Sequence, residues 1–137
     1  MAEHTSPLLD SALFEQLFAQ AALTPRLRQH YDLRESETDT SQRMLNALLP
    51  GTPLPIHRHL QSSETILVLK GSMDEIFYDD NGNETARFHL EPGTGVFGMN
   101  IPRNTWHTVM PLEPTIIIEA KDGAYNIMGT ENLAIER

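Results

Sequence analysis

From Pro25 onward the chain is cut into short runs by turn-forming clusters, and this punctuation limits its possible folds more than any other feature. The connectors are Pro50-Gly51, Asp79-Asp80-Asn81-Gly82, Glu91-Pro92-Gly93-Thr94, Pro102-Arg103-Asn104 and Pro111-Leu112-Glu113-Pro114. Proline presets φ in such segments, glycine accepts positive φ, and Asn and Asp bond back to their own backbone. Between the connectors lie runs with β character at 28–33, 42–48, 54–59, 64–70, 73–78, 85–90, 95–101, 106–110 and 115–121. Many short strands at this spacing predict an all-β sandwich or barrel. Asn81-Gly82 between two of them predicts a type I′ hairpin. One helix precedes this region. Leu9, Leu13, Phe14, Leu17, Phe18 and Ala21 recur at helical spacing, with Asp10, Glu15 and Gln16 on the other side. Ser6 or Asp10 can cap it, Pro7 suits a helix start, and Thr24-Pro25 ends it. A helix of this kind closes one side of a sheet. The chain is thus expected to form a single domain, with a helical extension over residues 1–25, a barrel over 26–125 and a tail over 126–137 in which no pattern is legible.

Composition narrows the chemistry. There are no cysteines among the 137 residues, which removes thiolate zinc sites, thiol nucleophiles and cysteine-ligated clusters. That also agrees with a cytoplasmic location. No apolar stretch approaches the ~20 residues of a membrane helix, and the first residues lack the pattern of a signal peptide. Ten Lys and Arg stand against nineteen Asp and Glu, a net charge of −9. Nucleic acids and anionic membranes reward positive surfaces, so neither is an expected partner. A small anionic ligand is still allowed, because a metal and a few inward arginines can reverse the local field.

The strongest chemical signal is His57-Arg58-His59 followed by Glu64, with His107 far downstream. Histidines two apart on a strand face the same way. Glu64 opens the next run across a short turn, and barrel closure can bring His107 to the same interior. Three imidazoles and a carboxylate suit one divalent transition metal ion, whether Zn, Fe, Mn or Ni. Four protein ligands fill a tetrahedral ion and leave two positions free on an octahedral one.

These residues resemble a known pattern. Gly51, five residues, His57-x-His59, four residues, Glu64, six residues and Gly71 match the first cupin motif in every spacing. The second motif is matched at Pro102 and His107. It is departed from at Gly95, one residue too far upstream, at Asn104 where glycine is usual, and at Pro111 where asparagine is usual. Further segments are similar to the WbuC family of cupin-fold metalloproteins: Pro25-Arg26-Leu27-Arg28-Gln29-His30, Ser41-Gln42-Arg43 through Gly51, Trp106-His107-Thr108, and Glu119 through Tyr125. Arg34 stands where that family has histidine. The resemblance implies a jelly-roll double-stranded β-helix barrel with one metal, a homodimer, and a setting in surface-polysaccharide metabolism.

Other residues are candidates for ligand binding. Arg28 and His30 share a strand parity and can bind a substrate anion; Arg43 can clamp a carboxylate or phosphate through its planar fork; Lys121 shares parity with Glu119, with which it can pair. His89 reads as an outer-face residue and Trp106 as packing between sheet and helix or at a subunit contact. Met73, Phe77, Phe97 and Met99 are candidate pocket walls, with ordinary core as the default. No nucleophile motif or glycine-rich phosphate loop is present, and no catalytic residue is identified. Chemistry would run through the metal. The expected function is a metal-binding cupin that acts on or binds a sugar or similar oxygenated small molecule, and, if it is an enzyme, a metal-dependent isomerase, epimerase or dioxygenase; the alternative is a non-catalytic binding or sensing module.

Overall fold

The structure is a computed structural model that describes residues 6–123 and 130–134; His4 and Tyr125 lie outside them. Helix α1 spans Ser11–Ala22, and the Asp10 carboxylate accepts from the Leu13 N–H at 3.0 Å as its N-cap. Ser6 and Pro7 therefore precede the helix. The strands are β1 (Arg28–Asp32), β2 (Ser41–Leu48), β3 (His57–His59), β4 (Glu64–Lys70), β5 (Met73–Tyr78), β6 (Glu84–Leu90), β7 (Gly98–Ile101), β8 (Trp106–Pro111), β9 (Thr115–Asp122) and β10 (Thr130–Asn132). They form two five-stranded sheets, ordered β1-β2-β9-β4-β7 and β10-β3-β8-β5-β6. Every pairing is antiparallel.

Side-chain alternation sets what each face covers. On β4, Glu64, Ile66 and Val68 are buried while Thr65, Leu67 and Leu69 are exposed. Ile66 and Val68 join Leu48, Met73, Leu90, Ile101 and Ile117 in one apolar cluster between the sheets, with Phe77, Met99 and Val109 against it. The other face of the first sheet carries Leu45, Ala47 and Ile116, which pack on Leu17 and Ala21 of α1. At β2 and β9 this sheet thus buries both faces, and the helix closes the outer side there as the apolar stripe of α1 requires. This is the all-β architecture with an N-terminal helix that the sequence pattern predicts, in the jelly-roll form that the resemblance implies.

Three local features differ from expectation. β3 is confined to His57–His59, because Pro53 and Pro55 have no N–H to give a ladder. β7 starts at Gly98, since Pro92–Thr94 form a 3-10 turn and Gly95 takes a φ of 90°. Phe97 therefore stands outside the core, 58% exposed. The hairpin after β5 is not type I′, since Asn81 does not have positive φ. Instead the Gly82 N–H bonds the Asp79 carbonyl, Gly82 takes a φ of 83°, and the register shifts by one residue at Tyr78. That is a type I turn with a glycine bulge, the other common hairpin solution.

Candidate metal centre

The inner surfaces change character along the barrel. Toward one end the facing side chains are the apolar cluster; toward the other they are polar. The register places Glu64 opposite Lys121 and Ile66 opposite Glu119 on β4 and β9, so these polar groups continue the inward parity of Ile66 and Ile117. Across from them, β3 and β8 pair with His57 opposite His107. His59 lies one full pleat along, and its ring centroid is 5.1 Å from that of His57. Ligand atoms of His57, His59 and His107 all lie within 4.8 Å of one another. Glu64 Oε1 is 3.4 Å from His59 Nε2 and 3.8 Å from His107 Nε2.

Each imidazole is held by a partner at Nδ1. For His57 it is the Pro55 carbonyl at 3.1 Å, for His59 the Thr130 hydroxyl at 3.1 Å, and for His107 the Glu75 carboxylate at 2.7 Å. For His57 and His107, an Nδ1–H directed at such an acceptor leaves Nε2 as a free lone pair, the usual preparation of a metal-ligating histidine. His59 Nε2, His107 Nε2 and Glu64 Oε1 are buried and have no hydrogen-bond partner among the described residues. Leaving a buried polar atom unpaired costs about 1–3 kcal/mol, and here three point at a shared space. A cation satisfies all of them together, so the donor set fits a divalent metal.

Electrostatics agree. Burial, then the Lys121 charge, holds the His59 pKa down to about 4. Burial, then the charges of His57 and His59, holds that of His107 down to about 2. Both rings are neutral at pH 7 and available as donors. Burial, then the Glu64 charge, pushes Glu119 up to about 8. Glu119 accepts from the Asn46 amide at 2.9 Å and contacts the Glu64 carboxyl.

A cavity of about 630 Å³ opens over this cluster. Of the expected ligand-binding residues, Arg28, His30 and Lys121 line it. Lys121 Nζ lies 3.3 Å from His59 Nδ1, so Lys121 turns toward the imidazole instead of pairing with Glu119. Arg43 is a correction. It shares the β2 face of Leu45 and Ala47, beneath the helix, while Gln42, Met44 and Asn46 line the cavity. Its guanidinium donates to Asp39, to the Ser41 carbonyl and to the Leu33 carbonyl. Sequence reasoning missed Glu75, Thr130, Asn46 and Arg26. Trp106 lies beneath the Arg58 guanidinium, 4.1 Å from its ring centroid, and donates to Asp80 at 2.9 Å, away from the helix. His89 is exposed between Asp74 and Glu91, at 2.9 and 2.8 Å.

Two motif positions, one matched and one atypical, have backbone reasons. Gly71 has a φ of 95°, and a Cβ there would run into the Pro114 carbonyl. Asn104 has a φ of 66°, a left-handed position that asparagine tolerates in place of glycine.

Several solved structures share the fold. The capsular polysaccharide assembling protein CapF from Staphylococcus aureus superposes with a TM-score of 0.68 at 20% identity, over 82% of this chain and 33% of that one. A Lactobacillus farciminis oxalate decarboxylase–formate complex gives 0.60 at 16% identity, over 77% and 31%. A dTDP sugar isomerase from Desulfovibrio desulfuricans G20 gives 0.60 at 15% identity, over 78% and 83%. All three are cupin-fold proteins, and the chain spans about a third of CapF. No curated protein matches the chain. A domain of unknown function (DUF6016) matches residues 9–90, a span that holds His57, His59 and Glu64 but not His107.

Proposed function

Since the chain belongs to the domain family DUF6016, whose description assigns no activity, we propose its function from the site: a metal-binding cupin that acts on or binds a small oxygenated molecule, such as a sugar derivative of polysaccharide metabolism. The observation that carries this reading is the convergence of the buried, unpartnered His59 Nε2, His107 Nε2 and Glu64 Oε1 beside His57. His57, His59, Glu64 and His107 are the proposed ligands of one divalent transition metal. Once bound, the metal supplies Lewis acidity toward a hydroxyl or carbonyl oxygen. The chain supplies the rest. In the metal-free chain Glu119 keeps its carboxyl proton at neutral pH, next to the donor set, and so is placed to exchange a proton with the ligand. Arg28, His30 and Lys121 line the cavity and bind the ligand. The sugar setting is supported by two structural neighbours described as a capsular polysaccharide assembling protein and a dTDP sugar isomerase. A proton-holding group beside the centre favours isomerisation or epimerisation over oxygenation.

The finer assignment, to the WbuC type, rests on the sequence segments shared with that family. The same reading treats residues 1–25, 26–125 and 126–137 as helical extension, barrel and tail. It takes the chain to be a cytoplasmic homodimer without nucleic-acid or membrane partners. No described helix is long and apolar enough to cross a membrane. A second reading, a non-catalytic binding module, is favoured by the donor count, since four protein donors fill a tetrahedral ion.

Metal analysis of protein purified without added metal tests the centre. Wild type and His89→Ala should hold close to one ion per chain, while His57→Ala and His107→Ala should lose most of it. Equal occupancy in all four proteins would sink the assignment of ligands. A mass-spectrometric screen of sugar derivatives then separates the two readings, since a product peak requires turnover.

A further inference from the structure

The charge of the cavity runs against that of the chain. With a net charge of −9 overall, the protein still directs Arg26, Arg28, Arg34 and Lys121 to the one cavity over the metal centre. The carboxylates that share this cavity, Asp32, Glu64 and Glu119, are each engaged elsewhere. Asp32 grips the Arg34 guanidinium at 2.8–3.1 Å. Glu64 faces the histidines, and Glu119 is held by Asn46. Among the described residues, Arg28 donates only to neutral oxygens, the Pro53 carbonyl at 2.7 Å and the Thr52 hydroxyl at 3.4 Å. Burial and the adjoining Arg26 charge both lower the Arg28 pKa. Like charges that face one another with no acid between them are relieved by an anion.

Strand register gives the layout. Glu64 lies opposite Lys121, and Lys121 opposite Gln42. Past the end of β1, the Leu33 N–H bonds the Arg43 carbonyl at 3.0 Å, which sets Arg34 beside Gln42. One row of inward positions therefore runs from the metal centre across to Arg34. With strands ~4.8 Å apart, it spans about 14 Å. Arg34 is preset at the far end. Asp32 and the Glu37 carbonyl fix its guanidinium, its side chain is 9% exposed, and one N–H on each of Nη1 and Nη2 stays available. A guanidinium fixed in this way loses little freedom when it binds a second planar or tetrahedral anion.

We propose that the cavity recognises an oxygenated small molecule carrying a carboxylate or phosphate group, with the anion against Arg28 or Arg34, which stand at opposite ends of the β1 wall, and the hydroxyl or carbonyl oxygens toward the histidines. This deepens the metal-centre reading and rests on it for the second half of the ligand. A neutral sugar leaves the Arg26–Arg28 pair as uncompensated as in the free protein, so it gains nothing at that wall. A cavity of about 630 Å³ admits a monosaccharide with one such group.

Titration calorimetry on the nickel-loaded full chain tests this, with glucose, glucuronate and glucose 1-phosphate as probes and nickel content measured on the same samples. At least one anionic probe should bind about tenfold or more tightly than glucose, and that advantage should shrink at high salt. Either Arg28→Gln or Arg34→Gln should remove most of it at unchanged nickel content and so identify the guanidinium that holds the anion, and the corresponding Arg28→Lys or Arg34→Lys should restore it only in part. The stronger of the two anions identifies the group, carboxylate or phosphate. Equal affinity for glucose, no binding of either anion, or unchanged affinity in both glutamine variants would overturn the proposal. A wild type that holds no nickel would sink the metal reading instead, and the two anions titrated into that protein would still test the arginine wall.

Discussion

Glu75 shows how one residue governs a centre it does not join. It is fully buried, and its Oε2 meets His107 Nδ1 at 2.7 Å. Burial, then the charges of Glu64 and Glu119, raises its pKa well above the ordinary 4.5. An ionised Glu75 accepts the Nδ1 proton and frees Nε2 for a metal; a protonated Glu75 donates to Nδ1 and places the proton on Nε2. Metal binding selects the first state. Glu75→Gln keeps a neutral acceptor but loses the charge, so metal affinity should fall about 10–100-fold, as read by competition with a chelator. The melting temperature of the metal-free form should hold or rise, because a buried carboxyl is removed. Equal affinity would show that Glu75 is only packing. His57 and His59 were legible in the sequence because the strand period fixes their common face. Glu75 was not, although it shares parity with Met73 and Phe77, and treating that face as pocket wall would have pointed to it. Arg43 was misplaced because β2 is covered on both faces, so alternation gives no sign of which face holds the cavity.

Among elements, α1 carries a share of stability that is separable from the site. Leu17 is buried against Leu45, Ala47 and Ile116 on the side of the first sheet away from the histidines. Leu17→Ala should cost about 2–5 kcal/mol in urea unfolding, at unchanged metal stoichiometry. A loss of metal in that variant would mean that the helix shapes the inner face as well. The helix and most strands were legible because periodicity and turn chemistry agree in them. Where legibility failed, a local constraint outweighed the pattern. Pro53 and Pro55 shortened β3, and the 3-10 turn after Glu91 delayed β7. β10 is three residues, Thr130–Asn132, with no apolar alternation. It exists by pairing with β3, where Glu131 also meets Arg58 at 2.6 Å and Thr130 reaches His59. Only the tertiary arrangement makes it a strand.

Over the whole molecule, the apolar end of the barrel stabilises the fold, while the polar end holds ionisable groups away from their ordinary states. His59 and His107, at about 4 and about 2, lie below the ordinary 6.5. Between those values the unfolded chain binds protons that the folded chain refuses. Their contribution to stability is therefore complete above pH 6.5 and is lost as the pH falls through the folded values. Glu119, at about 8 against an ordinary 4.5, behaves in the opposite sense. The folded chain keeps a proton that the unfolded chain releases, so stability is complete below pH 4.5 and is lost as the pH rises toward 8. Glu75 adds to this alkaline loss. The metal-free protein should accordingly be most stable at mildly acidic pH, between these two ordinary values. A divalent cation acts on the alkaline side. It lowers the cost of ionising Glu119, while the imidazoles of His59 and His107 are already neutral. The melting-temperature gap between metal-bound and metal-free protein should thus widen from about pH 5.5 to 8, since metal and protons compete for the same donors. Calorimetric titration of nickel in buffers of different ionisation enthalpy should show net proton release near neutral pH that fades above about pH 9. A gap that stays flat across this range would mean that the Glu64–Glu119 pair is not coupled to the metal, and that Glu119 does not hold the proton assigned to it.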